Sequence, residues 1–285
     1  MGCSESLTCL RSAQEDNQHS LRAAPAVCRL WEHDRLPYRL MNDTNTPMLK
    51  LTAFAICLAL LGGCNPETAQ EENLSQETAE EWTVLFNGKD LTGWRSYGEE
   101  SAGSAWIVEG DTLILNVDDS TTTVTGGDLI THGQYENFEL QLEWKISEGG
   151  NSGIFFGVQE IAGQRVAYQT GIEMQILDDD NHKDGEMPET SAGSCYALYA
   201  SDEDVVRPVG EFNKVRLIVR DAHVEHWLND HKIVEYTIGS DDWSGRVAAS
   251  KFADWEHFAR YRKGHIALQD HADKVWFRNI RIREL

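Results

Sequence analysis

The chain has 285 residues, 41% of them hydrophobic and 9% aromatic, and its 25 basic and 47 acidic side chains leave a net charge of −22. That length and apolar content can supply a proper core for one or two domains. So large an acidic surplus argues against nucleic acid or anionic lipid headgroups as ligands, and is compatible with a neutral one.

Residues 1–47 hold Cys3, Cys9 and Cys28, clustered arginines and no periodicity. They read as a leader outside the native protein, or as a disordered segment. Residues 48–64, MLKLTAFAICLALLGGC, have the layout of a secretory signal: a Met, one Lys, an apolar run from Leu51 to Leu61, and small residues before Cys64. The apolar run is about eleven residues, short of the roughly 20 that a membrane-spanning helix needs. Its end resembles a bacterial lipobox, which makes Cys64 the lipidated first residue of an exported protein and Met48 the true start. Residues 65–81, NPETAQEENLSQETAEE, carry six Glu and no basic side chain. Such a segment cannot bury enough apolar surface to offset its ordering entropy, and reads as a self-repelling tether.

Residues 82–285 carry 19 basic and 35 acidic side chains, a net −16. Cys195 is the only cysteine past the tether, so this domain has no internal disulfide and depends on its core. Nearly all of it reads as strand. NFELQLEWKI (137–146) alternates strictly, with Phe138, Leu140, Leu142, Trp144 and Ile146 inward and Glu139, Gln141, Glu143 and Lys145 outward. KVRLIVR and HVEHWLNDHKIVEY follow, with Asn229-Asp230 placed for a two-residue hairpin turn. AWIVEGDTLILN, SGIFFGV and GIEMQILD add further strands. No stretch offers a convincing amphipathic helix, and ADWEHFARYRKG holds one turn at most. The expected fold is all-β, an antiparallel sandwich or jelly roll in one domain.

Two strand faces carry unusual polar sets. In GIEMQILD, Glu173 and Gln175 lie about 7 Å apart on the face opposite Ile172, Met174 and Ile176. In KGHIALQDHADKVWFRNIRIREL, Gln269 and His271 fall opposite Ile266 and Leu268, in parity with His265 and Ala267. Asp270 has the inward parity, which a core rejects unpaired; either the strand ends at Gln269, or Asp270 orients His271 or binds Lys263. The loop DDDNHKDG (178–185) suggests a calcium site but lacks the downstream bidentate Glu of an EF-hand, so a divalent metal is an open expectation and no other cofactor is implied. His182, in that loop, is a candidate base, because imidazole is the side chain whose charge changes near neutral pH. Trp243, Trp255, Phe258 and Tyr261 gather in sequence, as core or as a sugar-stacking surface. Cys195 reads as a small buried core residue.

Four blocks in order, VLFNGKDLTGWR, NFELQLEWKISEGGNSGIFFGV, GIEMQILDDDNHKDG and GHIALQDHADKVWFRNIRIREL, closely resemble the 3-keto-disaccharide hydrolase family across residues 82–285. The resemblance implies a concanavalin-like jelly roll and activity on sugars whose C3 hydroxyl has been oxidised to a ketone. One departure is visible: Ala272 stands where the family pattern has Gly after Gln-Asp-His, at a cost of about 1 kcal/mol or more if the position needs a positive φ. A 3-ketone acidifies the C2 proton, so elimination of the aglycone from C1 followed by hydration gives net hydrolysis. On that chemistry His271 or His182 is the base, with Asp270 beside it, and Glu173 is its acid or base partner. Gln175, Gln269, Asn151 and Lys263 are the candidate enolate and substrate binders, with Trp255 for stacking. The partner expected is carbohydrate, with membrane contact through the lipid only. Two competing readings are a surface-displayed carbohydrate-binding module and a laminarinase-like glycosidase. The latter rests on Glu173, Gln175 and Asp178, a set in which an amide replaces the middle carboxylate.

Overall fold

The computed structural model describes residues 81–117 and 126–285. The leader, the signal with its lipobox at Cys64, and all but the last residue of the tether lie outside the described residues. In chain order the strands are β1 (Thr83–Val84), β2 (Trp94–Ser96), β3 (Trp106–Glu109), β4 (Thr112–Leu115), β5 (Leu129–Thr131), β6 (Phe138–Ile146) and β7 (Asn151–Val158). After them come β8 (Ile172–Leu177), β9 (Asn213–Arg220), β10 (His223–Leu228), β11 (His231–Thr237), β12 (His265–Leu268) and β13 (Val275–Glu284). One helix, α1 (Asp241–Ala249), lies between β11 and β12.

The strands form two antiparallel sheets. The larger runs β11-β10-β9-β6-β13-β4-β3 with β1 hung on β13, and the smaller runs β2-β5-β12-β7-β8. Their facing sides make one core. Phe138, Leu140, Leu142 and Trp144 of β6, with Leu217 and Phe277, share it with Ile154 and Phe156 of β7, Met174 and Ile176 of β8, and Ile266 and Leu268 of β12. This is the expected jelly-roll class of sandwich. The alternation of β6 is realised, and Asn229 and Asp230 both take positive φ (51° and 71°) in the tight turn joining β10 to β11.

The structure corrects three details. Glu139, expected outward, is 2% exposed because Arg216 and Arg283 close over it from β9 and β13. The helix α1 exists: Ser240 caps it by accepting from the Trp243 N–H, Asp241 and Asp242 sit in its first turn, and Trp243 is its buried anchor. His265 and Ala267 do not face solvent either. A small second cluster of Tyr97, Ile130, Phe155, Val158, Ala167 and Ala267 covers that part of the outer face. His265 bonds the Thr131 carbonyl and Gln134 there.

Candidate active site

Where that second cluster ends, the outer face of the smaller sheet opens into a cleft of about 320 Å³. Its floor comes from register. β7 and β8 pair antiparallel with Gly153 opposite Gln175 and Phe155 opposite Glu173, and the Gln269 N–H bonds the Gly153 carbonyl from the end of β12. Side chains of one parity therefore bring Asn151, Glu173, Gln175 and Gln269 to one floor. Gly153 makes room among them, since a Cβ there would stand 2.3 Å from Glu173 Oε1. His271 follows on the next loop. The walls are Asp184 and Tyr196, with Lys251 over the Tyr196 ring, and Tyr168, Phe252, Trp255 and Phe258.

The floor is polar, buried and unfinished. Asn151, Gln175 and Gln269 are 3%, 1% and 8% exposed, and the side-chain oxygen of each lacks a hydrogen-bond partner. Gln175 does use its amide nitrogen, donating to the Thr190 carbonyl at 3.2 Å. Buried unpaired acceptors are costly unless a ligand completes them. Three such oxygens in one cleft suit the hydroxyls of a sugar.

Glu173 sets the electrostatics. Burial pushes its carboxyl up to about 8; Lys251 pulls against the rise, while Asp128 and Asp184 add to it. At neutral pH it is mostly a neutral acid. Lys251 is shifted down from the usual lysine range, first by desolvation, with Glu173 and Asp184 opposing. Its ammonium sits 4.2 Å from the centre of the Tyr196 ring and 5.3 Å from that of Phe252. The Tyr196 hydroxyl donates to Asp184 at 3.1 Å, and burial, then Asp184, raises its pKa, so it stays a donor.

The two imidazoles at the mouth differ. His271 Nδ1 lies 3.4 Å from Asp273 Oδ2, and the same oxygen accepts from the Asn151 N–H at 3.1 Å. With Nδ1–H turned to that carboxylate, Nε2 of neutral His271 holds a free lone pair. His182 has the opposite arrangement. Its Nδ1 accepts from the Asp184 N–H at 3.1 Å, which puts the neutral ring's proton on Nε2. The rings are 6.3 Å apart, edge to face.

Of the residues singled out in the sequence, Asn151, Glu173, Gln175, Trp255, Gln269 and His271 line the cleft, and His182 borders it. Asp270 and Lys263 do not line it. Strand β12 ends at Leu268, and Asp270 turns its carboxylate to the N–H groups of Gly127 (2.6 Å) and Ala272 (3.0 Å). Lys263 is exposed before β12, and its carbonyl accepts from Gln159. Of the aromatic group, Trp243 is core; Phe258 is 6% exposed at the cleft edge, and Tyr261 lies on the surface. Trp255 faces Tyr168 at 5.7 Å. Cys195 is buried, and burial pushes its thiol up to about 12, as a core residue requires.

Lys251, Tyr168, Tyr196, Asp184 and Asp273 were not foreseen. Only Asp273 left a local sign, the His271-Ala272-Asp273 spacing.

The acidic loop does not converge on a point. Asp178 accepts from Gly149 N–H and Asn181, Asp179 from Ala192 N–H, and Asp184 from Tyr196. Asp178 is thereby also spent as a partner for Glu173 in a laminarinase-like set. Among the described residues, one His/Glu group could hold a metal: His223, Glu225 and Glu235 on the larger sheet, where Lys232 already pairs with both glutamates. A wider groove of about 790 Å³ crosses that sheet's outer face. On its floor Arg216 pairs with Glu139, Arg281 with Gln141 and Asn279 with Glu143, so these polar groups are already partnered. The smaller cleft, with its unpaired amides and acid-form carboxyl, is the candidate site.

Comparison with known proteins covers the same region. Residues 81–283 match a family model described as the 3-keto-alpha-glucoside-1,2-lyase-like domain. A relative from Bacteroides thetaiotaomicron named 3-keto-disaccharide hydrolase is 34% identical over 230 residues, 73% of this chain and 79% of the relative. A crystal structure from Parabacteroides distasonis, described as a candidate glycosyl hydrolase, superposes with a TM-score of 0.65 at 33% identity, covering 72% of this chain and 94% of the other. A second from the same organism, described likewise, gives a TM-score of 0.55 at 28% identity, covering 72% and 100%.

Proposed function

The chain belongs to the 3-keto-alpha-glucoside-1,2-lyase-like family, and on that premise we propose that its cleft cleaves 3-keto-glycosides by elimination across C1 and C2 followed by hydration. The observation that carries the reading is the pairing in one cleft of an acid-form Glu173 with His271, whose Nδ1 is turned to Asp273. Nε2 of His271 takes the C2 proton, which the neighbouring ketone has made acidic. The electron pair moves through C2 to expel the aglycone oxygen from C1, and Glu173 gives that oxygen its proton. Water then adds at C1 and a proton returns to C2, with the two groups in reversed roles. The proton inventory closes and no external oxidant is needed.

An ordinary glycosidase instead flanks an oxocarbenium-like centre with two carboxylates. Asp184 is the other carboxylate in this cleft, and it is occupied by the Tyr196 hydroxyl. The orphaned oxygens of Asn151, Gln175 and Gln269 accept from the sugar's hydroxyls, and Trp255 with Tyr168 offers an apolar wall for the aglycone. His182 fits a donor at the rim better than a base.

The proposal extends to location. The signal layout and Cys64 support an exported protein held to a bacterial membrane by lipid, with residues 65–81 as its tether. Metabolic labelling with a fatty-acid analogue tests this, and Cys64→Ala abolishes the label.

The activity is tested with 3-keto-trehalose and a 3-keto-β-glucoside beside their unoxidised parents, with and without chelator. Sugar release from the keto forms alone is expected, and His271→Ala abolishes it. Binding without cleavage of any of the four makes the protein a carbohydrate-binding module.

A further inference from the structure

Elimination from a 3-keto sugar passes through an enolate, and a cationic donor holds one more strongly than a neutral amide does. Asn151, Gln175 and Gln269 bring neutral amide groups to the cleft, and the Gln175 nitrogen also donates to the Thr190 carbonyl. An oxyanion needs donors.

Lys251 is the one lysine or arginine among the cleft's lining residues. It comes from the segment just after α1 and crosses over the Tyr196 ring at 4.2 Å. Among the described residues it makes no ion pair, whereas Arg216, Arg278 and Arg283 of the larger sheet are tied to carboxylates and Arg281 to Gln141. The aromatic faces of Tyr196 and Phe252 hold the ammonium in place without neutralising it. A fixed, partly desolvated, unpaired cation beside an acid-form carboxyl is an arrangement that gains energy only when negative charge appears between them.

We infer that Lys251 is a catalytic residue whose ammonium binds the C3 carbonyl oxygen of the substrate and stabilises the enolate formed when the C2 proton leaves. This rests on the elimination reading. In the step, the C2–H electrons form a C2–C3 double bond and the carbonyl pair moves onto O3, against Lys251. They then return to re-form the ketone, create the C1–C2 double bond and expel the aglycone oxygen, which takes the Glu173 proton. No carbon–nitrogen bond forms.

The test uses Lys251→Met and Lys251→Arg in the full chain, with two readouts. The first is release of sugar from a 3-keto-glucoside; the second is exchange of its C2 hydrogen with D2O, followed by NMR. Loss of one oxyanion-stabilising donor predicts a fall of about 10²–10³-fold in kcat for Lys251→Met. KM changes little, C2 exchange falls in parallel, and Lys251→Arg recovers part of the loss. Circular dichroism confirms that both variants fold. Borohydride added during turnover is expected to leave the protein mass unchanged.

Unaltered exchange and turnover in Lys251→Met overturn the assignment while leaving the reaction intact. A reduced sugar adduct on Lys251 also overturns it, in favour of an imine. A wild-type protein that neither exchanges C2 hydrogen nor releases sugar defeats the elimination reading, and this inference falls with it.

Discussion

At the residue scale, two small side chains decide much of the site. Ala272 has φ +65°, the left-handed region that a Cβ disfavours by about 1–2 kcal/mol, so the cost anticipated at this departure from the family pattern is present. Ala272→Gly relieves it against the extra entropy of glycine in the unfolded chain, for a net gain of about 0.5–1 kcal/mol and a higher Tm in a thermal scan. Gly153→Ala acts oppositely: its Cβ would meet the Glu173 carboxyl, so turnover falls by tenfold or more while Tm moves only slightly. Glu173 also fixes a pH dependence. Its folded-state pKa of about 8 lies above the ordinary carboxyl value, so its contribution to stability is full below pH 4.5 and is lost as pH rises through 8. The acid form that the proposed elimination uses for aglycone departure disappears over the same upper limb. A kcat–pH profile therefore declines above about pH 8, and Glu173→Gln has a higher Tm than wild type at pH 9 with little difference at pH 4. Glu173 and Gln175 were legible because strand parity groups them on β8, and Gln269 and His271 because they continue directly from β12. Asp273, and not Asp270, proved to be the partner of His271, because β12 stops at Leu268 and parity no longer applies beyond it.

At the scale of elements, alternation works where one face of a strand is wet and fails where both are covered. β6 was readable, since all five of its inward residues lie in the core between the sheets. β12 was misread in part, because Tyr97, Ile130 and Phe155 close over its second face, through contacts between residues far apart in sequence. Helix α1 was missed for a different reason. Its nine residues include Gly245 and one buried anchor, Trp243, which is too little for an apolar stripe, although Ser240-Asp241-Asp242 carried the capping signal. That miss also hid Lys251. The Glu139 ion pairs belong to this scale, because they lace β6, β9 and β13 together. Burial raises its carboxyl, but the hydrogen bonds from Arg216, Arg283 and Gln141 outweigh burial and hold it at about 2. Its stabilisation is present above the ordinary carboxyl pKa and is lost as pH falls through 2. Glu139→Gln is expected to cost about 2 kcal/mol at pH 7 in urea unfolding, less than the loss of a fully buried pair because both arginines reach water. A cost that stays unchanged when remeasured at pH 2 would contradict the ion-pair origin.

At the scale of the whole molecule, the two sheets turn different outer faces to solvent. The larger sheet is covered by paired charges and aromatic rings capped by cations, such as Arg278 over Phe212 and Arg281 over Trp82. The smaller sheet carries buried polar groups that its own chain does not satisfy. Such groups are costly to bury unless a partner completes them. The acidic charge of the domain gives no attraction for a polyanion, and the cleft's wall of rings over amides suits a neutral, hydroxyl-bearing ring. The most direct measurement is to run the reaction on a 3-keto-glycoside in D2O and locate deuterium in the released 3-keto sugar. Elimination and hydration predict deuterium at C2 and no cleavage of the unoxidised parent. Release of sugar that carries only hydrogen at C2, or cleavage of the parent at a similar rate, would contradict the account.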